Sequence, residues 1–391
     1  MNSLGFNPVS PLVRSIPPSG IRRFFDLVSE MDDVISLGVG EPDFVTPWRI
    51  REAAIYSLER GRTMYTSNYG LLELREAIAE DLAGRHNLSY DPKSEILITV
   101  GVSEAMDLVM RALLTPGDEV IIPEPCYVSY KPCTILAGGT PVVIPTRVED
   151  GFRPTAEQIE AAISDKTRIL ILSYPNNPTG ATMSAQELIP LTEVAQKHNL
   201  LVVADEIYDH LTYEGEHTSV AALPGMQERT ILLNGFSKAY AMTGWRVGYA
   251  AANREIIGAM TKIHQYTMLC ASIMGQNAAL EALRHGAPER ERMVTEYDQR
   301  RRLIVAGLNE AGLECFEPGG AFYVFPSIKA TGMSSEEFCE KLLKQEKVAV
   351  VPGNAFGESG EGYIRCSYAS SLQEIKEAIA RISRFVKPYL D

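Results

Sequence analysis

From about Pro47 onward the chain alternates between short runs of consecutive apolar residues and longer stretches whose apolar positions recur at helical spacing. Continuous apolar runs of strand length suit strands covered on both faces, and their alternation with helical segments marks βαβ units in a mostly parallel sheet. The runs predict strands over 95–100, 119–123, 141–145, 168–173, 200–205, 231–234 and 247–251, with helices over 104–114, 127–136, 155–163 and 185–198 between several of them. Thr46-Pro47 predicts an earlier helix over about 47–60, with Thr46 as its cap and Pro47 in the first turn, where a missing N–H costs nothing.

After Pro288 the pattern changes to a long charged helix reaching about 311, then short strands near 322–325, 348–351 and 363–366 with helices between and after. The expected fold is α/β: a large domain with a mostly parallel mixed sheet flanked by helices, plus a smaller α+β domain. The expected boundaries are an N-terminal segment 1–44 contributing to the small domain, a large domain 45–287 and a small C-terminal domain 288–391. At 391 residues the chain exceeds the size at which one core keeps growing, which agrees with more than one domain.

Composition removes several function classes. A net charge of −13 with no Lys/Arg run excludes a nucleic-acid surface, which needs a basic footprint. The longest apolar stretches are strand-sized, so no membrane span is expected, and the first residues, with Arg14, Pro17 and Pro18, lack the apolar run of a signal peptide. The six cysteines are dispersed with no CxxC pair, which predicts reduced thiols and a cytoplasmic protein; no metal site is expected.

Ligands of open α/β sheets sit beyond the carboxyl ends of strands, and four such places carry unusual residues. Gly101-Val102-Ser103-Glu104-Ala105 offers backbone N–H groups and a hydroxyl to an anion at a helix start, although a serine cap is common there. Asp205 follows a run of buried aliphatics, which also suits a helix cap. Tyr174-Pro175-Asn176-Asn177-Pro178-Thr179-Gly180 is a rigid polar turn. In Asn234-Gly235-Phe236-Ser237-Lys238-Ala239-Tyr240-Ala241-Met242-Thr243-Gly244-Trp245-Arg246, a lysine and an arginine sit among small and apolar residues, where the bland alternative is a loop lysine with a packed stem.

Taken together, in this order, these segments resemble the cofactor contacts of the class I, fold type I, pyridoxal-phosphate-dependent aminotransferases. The resemblance runs from Ser36-Leu37-Gly38-Val39-Gly40-Glu41-Pro42-Asp43-Phe44 to Tyr363-Ile364-Arg365-Cys366-Ser367-Tyr368-Ala369 and is closest to prokaryotic aspartate and aromatic aminotransferases. It implies pyridoxal 5'-phosphate held as an imine on Lys238, whose freed amine then moves the substrate α-proton. It further implies Asp205 at the pyridine nitrogen, Asn177 and Tyr208 at the ring hydroxyl, and Tyr127 stacked on the ring. Val102, Ser103 and Arg246 would hold the phosphate, with Ser237 standing in for a serine that some relatives carry where this chain has Gly235. Tyr65 would reach the phosphate of a partner subunit, so a homodimer with a shared site is implied. Arg365 would clamp the substrate carboxylate, with Gly40, Asn177 and Tyr127 also lining the substrate site.

The implied activity is ping-pong transfer of an L-amino acid's amino group, with aromatic, aspartate or broad preference, to a 2-oxo acid, 2-oxoglutarate by family habit. Ser103 replaces the lysine that some aspartate enzymes of the group place there, which tilts the expectation away from strict aspartate specificity. The alternatives are an N-acetyl-diaminopimelate aminotransferase, a C–S lyase of the same fold, and a cofactor-binding regulator, for which the chain has no basic DNA-binding segment.

Overall fold

The computed structural model describes residues 7–18, 20 and 31–390. Residues 1–6, 19 and 21–30 of the expected N-terminal segment, and Asp391, lie outside the described residues. The central sheet has seven strands: β2 (Ile96–Thr99), β3 (Glu119–Glu124), β4 (Thr140–Pro145), β5 (Thr167–Leu172), β6 (Leu201–Asp205), β7 (Thr230–Gly235) and β8 (Gly248–Ala251), in the order β2-β8-β7-β6-β5-β3-β4. β4, β3, β5, β6 and β7 pair in parallel, and β8 lies antiparallel to both β7 and β2. Each of these strands was expected from its apolar run, with ends within about a residue.

The absence of strict apolar–polar alternation has its reason in the packing. Ile169, Ile171, Val203, Ile231 and Leu233 pack on one side of the sheet in a core shared with the helices Gly101–Leu113 and Arg254–Thr267. Their neighbours Leu170, Leu172, Val202 and Ala204 face the other side, against the helix Ala185–Lys197. The helices Trp48–Glu59, Leu72–His86 and Ile273–His285 pack together beside β2 and β8. With both faces covered, β2, β6, β7 and β8 and most of β3 and β5 have little solvent side to be polar on, whereas the edge strand β4 is largely exposed.

Three helix starts differ from the expectation. The first helix is Trp48–Glu59 with Pro47 as its cap, because the Thr46 hydroxyl is used elsewhere: it donates to the carbonyl of Ala241 and accepts from Trp245 Nε1 at 3.0 Å. The helix expected over 104–114 begins at Gly101, whose φ of +72° lets the chain turn directly from β2 into the first helical turn. The helix expected from 127 begins at Tyr130, which leaves Tyr127 in the preceding turn.

Beyond the helix Ala287–Glu310, β9 (Tyr323–Val324), β11 (Val351–Pro352) and β12 (Ile364–Ser367) form an antiparallel sheet in the order β11-β12-β9, packed with the helices Ser335–Glu346 and Leu372–Leu390. β1 (Ile35–Ser36) pairs in parallel with β10 (Val348–Ala349), and Ser367 N donates to Leu37 O at 2.7 Å. These bonds bring Gly38 and Gly40 beside Arg365 on β12, although 325 residues or more separate them in sequence.

Among the described residues, no helix is long and apolar enough to cross a membrane, and no group of His, Cys, Asp and Glu side chains could hold a metal ion. All six cysteines are free, and Cys126, Cys315, Cys339 and Cys366 are buried.

Candidate active site

The carboxyl ends of β5, β6 and β7, the start of the helix Gly101–Leu113 and the edge of β12 enclose a cavity of about 560 Å³. Lys238, Asp205, Tyr208, Asn177, Tyr127, Val102, Ser103, Ser237, Arg246, Arg365 and Gly40 all line it. Residues spread over most of the chain thus meet in one place because parallel strands present their carboxyl ends on the same edge of the sheet.

Lys238 follows β7 and reaches into the cavity, where Nζ donates to the carbonyl of Gly40 at 2.6 Å and lies 5.8 Å from the centre of the Tyr208 ring. Burial, helped by the Arg365 guanidinium and opposed by Glu41, holds this amine down at about 8. A lysine held near 8 has a far larger neutral fraction at physiological pH than an exposed one, which is the state a nucleophilic amine needs.

Asp205 ends β6 and is 5% exposed. Oδ2 accepts from the Tyr130 hydroxyl at 2.8 Å, which also lies 2.9 Å from Ser173 Oγ, and Oδ1 accepts from Ile207 N at 3.3 Å. Burial pushes the carboxyl up to about 6, against the pull of the Tyr130 and Ile207 bonds. Among the described residues no cation hydrogen-bonds to this carboxylate, and the attraction of the Lys238 amine offsets only part of the cost of burying it.

The helix beginning at Gly101 points its first-turn N–H groups at the same cavity, and these have no acceptor within the helix. Arg246, in the left-handed region at φ +54°, anchors Nη1 on the carbonyl of Thr243 at 2.9 Å. A Cβ on Gly101 would lie 2.5 Å from Arg246 Nη2, so only glycine there lets the guanidinium close over the helix start. A serine at Gly235 is excluded for a related reason: its Cβ would lie 2.8 Å from the Cα of Gly248. Ser103 and Ser237 also line this cavity.

Arg365 is 2% exposed and lies between the rings of Tyr323 and Phe356, with Cζ 4.5 and 4.8 Å from their centres. Nη1 donates to Asn177 Oδ1 at 2.9 Å and Nη2 to the carbonyl of Gly38 at 2.7 Å, while Nε is buried without a partner. Such a fork, fixed by stacking and still holding an unused donor, suits a planar carboxylate. The Tyr208 and Tyr323 hydroxyls meet at 2.8 Å, and a Cβ on Gly40 would lie 2.7 Å from that of Tyr323.

Tyr65 does not join this constellation: it is 81% exposed and outside the cavity lining. The structure adds Tyr130, Ser173, Tyr323 and Glu41, which the sequence did not single out. Tyr130 stands in the same Pro125-Cys126-Tyr127-Val128-Ser129-Tyr130 segment as Tyr127, and its role becomes visible only through its bond to a residue 75 positions away.

The family model described as Aminotransferase class I and II matches residues 32–382. An aspartate aminotransferase of Pyrococcus abyssi is 47% identical over 375 residues, covering 95% of this chain and 96% of that protein. Aromatic-amino-acid aminotransferase 2 of Thermococcus litoralis is 44% identical over 382 residues, covering 97% and 98%. Among solved structures, the aromatic aminotransferase of Pyrococcus horikoshii OT3 superposes with a TM-score of 0.90 at 47% identity, covering 93% of this chain and 99% of that one.

Proposed function

Because the chain belongs to the class I and II aminotransferases, whose cofactor is pyridoxal phosphate, we propose that the cavity around Lys238 is its active site and that it moves amino groups from an aromatic or broad set of L-amino acids to 2-oxoglutarate. The observation that carries this reading is the meeting of the Lys238 amine, the buried Asp205 carboxylate and the Arg365 guanidinium in one cavity.

The residues fit the group on three counts. Asp205 has no hydrogen-bonded cation, which a protonated ring nitrogen would supply; the helix start and Arg246 form an anion cradle that a side chain at Gly101 would fill; and Lys238 lines the same cavity. Bound pyridoxal phosphate supplies an aldehyde that takes up the substrate amine and a ring that accepts the electrons left when the α-proton departs. Lys238 would hold the cofactor, and its amine, once freed, would hold and return the α-proton. Asp205 keeps the ring cationic; at about 4 Å and an effective dielectric near 20 such a pair is worth on the order of 4 kcal/mol. Val102 N, Ser103, Ser237 and Arg246 hold the phosphate, and Tyr127 packs against the ring. Asn177 and Tyr208 orient the ring hydroxyl, and Arg365 fixes the substrate carboxylate so that the α-proton faces Lys238.

Donor preference follows from the walls. Tyr127, Val128 and Tyr323 give the cavity aromatic and apolar surface, while Ser103 offers no charge to an acidic side chain. A panel of aromatic, aspartate and N-acetyl-diaminopimelate donors with 2-oxoglutarate, followed by the loss of the cofactor's imine absorbance, is expected to show the aromatic donors fastest. No bleaching by any donor sinks the aminotransferase assignment, and pyruvate release from cystathionine would favour the C–S lyase.

We further assign residues 45–287 to a cofactor domain, and 1–44 with 288–391 to a smaller unit that closes over substrate and excludes water. The assembly is a cytoplasmic homodimer in which Tyr65 completes the partner's phosphate site. The support is the open apolar surface of Val45, Trp48, Ile55, Tyr56, Leu58, Met64 and Tyr65, which a partner would cover. Sedimentation is expected to give twice the chain mass, with Tyr65→Ala weakening cofactor binding about tenfold by loss of one charge-assisted hydrogen bond. A fully active monomer would overturn both.

A further inference from the structure

The turn after β6 has two sides. Asp205 and Tyr208 face the cavity, whereas Glu206 and Asp209 face away from it into a buried, charged layer. Glu206 is 2% exposed; Oε1 accepts from Ser219 Oγ and Val220 N, both at 3.0 Å, and Oε2 lies 3.0 Å from Nε2 of His217, an ion pair out of line for a hydrogen bond. Asp209 Oδ2 accepts from Arg85 Nη2 at 2.6 Å. The turn itself is tied down by Glu206 N donating to Leu233 O of β7 and Asp209 N donating to Glu206 O, each at 2.9 Å.

We propose that Glu206 and His217 are positioning residues for the known reaction: their buried pair fixes the turn that carries Asp205 and sets the electrostatic potential felt by the cofactor held against it. This rests on the assignment of Asp205 to the cofactor ring. Glu206 is adjacent to Asp205 in the chain, and its like charge raises the proton affinity of Asp205. His217 is enclosed, with its side chain 8% exposed, and offsets that charge.

The other cation acting on His217, Arg85, is engaged by Asp209 and Asp81. Facing His217 are Glu206 and Asp209 from the turn, and Arg85 and His86 from the helix Leu72–His86, with the His86 ring edge-on at 5.8 Å. Arg85 is committed to Asp209, and its charge together with burial holds His86 below its ordinary proton affinity. Burial works against a charged His217, but the attraction of Glu206 and Asp209 wins and holds its proton affinity above the ordinary value. Tyr90, whose buried hydroxyl has no partner, is pushed the same way as Asp205, by burial and by Glu206. The layer therefore sets Glu206 and Asp209 against His217 and Arg85, with Asp81 also on Arg85 and with His210 and Arg290 at its border, and removing either member of the Glu206–His217 pair shifts its charge in a known direction.

The test uses the full-length protein loaded with pyridoxal phosphate, reading the pH midpoint of the bound cofactor's absorbance change. Glu206→Gln removes a negative charge near the cationic cofactor and is expected to lower the midpoint by about half a pH unit. His217→Gln leaves that charge uncompensated and is expected to raise it by a similar amount. Loosening of the turn alone would move both midpoints the same way or neither, and either result overturns the proposal. Far-UV circular dichroism verifies the fold; if one variant does not fold, the sign of the other's shift decides, and His217→Asn makes the same charge change as His217→Gln. A wild-type chain that shows no cofactor band at all would instead sink the assignment of the cavity.

Discussion

Lys238→Ala is expected to lower transamination by roughly 10⁴-fold or more, since under the proposed assignment one side chain supplies both the covalent anchor and the proton carrier. The fold should survive: the amine hydrogen-bonds only to the Gly40 carbonyl and is buried at a cost, so at neutral pH the variant without cofactor is expected to melt no lower than the parent. The sign follows from the depressed amine. A lysine held near 8 when folded, against an ordinary value of 10.5, destabilises the chain fully below about pH 8, and the cost fades as pH rises toward 10. The same titration predicts that cofactor loading of the parent accelerates as pH rises through about 8, when the amine becomes neutral, and then levels off. Borohydride reduction of the resting holoenzyme followed by peptide mapping should place the pyridoxyl label on Lys238. An active alanine variant, or a label on another lysine, ends the assignment.

Much of this architecture was legible because burial on both faces writes a simple pattern. The runs that became β2 to β8 are continuous and apolar, and the residues that line the cavity stand just beyond several of them. Strand direction was not legible: β8 reads like its parallel neighbours, since an apolar run is the same in either direction, yet it pairs antiparallel with both β2 and β7. Helix starts were legible only where the local chemistry is self-contained. Thr155 and Gln158 form a reciprocal cap and mark the start of the helix Ala156–Ala162 as expected, whereas Thr46 was drawn from capping by a carbonyl 195 positions away.

The site divides in the same way. Lys238 and Asp205 drew attention by standing beyond apolar runs, but it was the family resemblance that gave them roles and that pointed to Arg365 at all. What lies behind them was not legible. Tyr130, Tyr323, Glu206 and His217 are polar groups whose meaning is set by partners far off in sequence, and in isolation an aromatic beside Tyr127 or an acid after Asp205 reads as packing or as a turn. The structure also explains Gly235, which looked like a missing contact. A Cβ on Gly235 would meet the Cα of Gly248, and one on Gly248 would meet the backbone of Gly101, so β7, β8 and the helix start come together only without side chains there.

Asp205→Asn separates what this residue does for the reaction from what it costs the fold. The substitution keeps the size of the side chain and can retain the bond from the Tyr130 hydroxyl, but removes the charge that holds the ring nitrogen protonated. Losing about 4 kcal/mol of that attraction in the transition state corresponds to a fall in turnover of roughly 10³-fold. Stability should move the other way. The carboxyl is pushed up to about 6 in the fold against 3.8 ordinarily, so ionising it costs stability as pH rises from about 4 through 6, and the cost is fully present above that. A shift of about two units is on the order of 3 kcal/mol, from which the weakened bond to Ile207 N subtracts about 1 kcal/mol. The apo variant should therefore unfold at higher denaturant than the apo parent at pH 7.5, with the difference vanishing as the pH is lowered toward 4. Added cofactor should narrow the gap from the parent's side, because a cationic ring is what the parent's carboxylate lacks. Equal turnover in the two proteins would mean that Asp205 does not face the ring nitrogen. A lower stability of the apo variant at pH 7.5 would mean that its charge is compensated within the fold, and the cavity's electrostatics would have to be assigned to another residue.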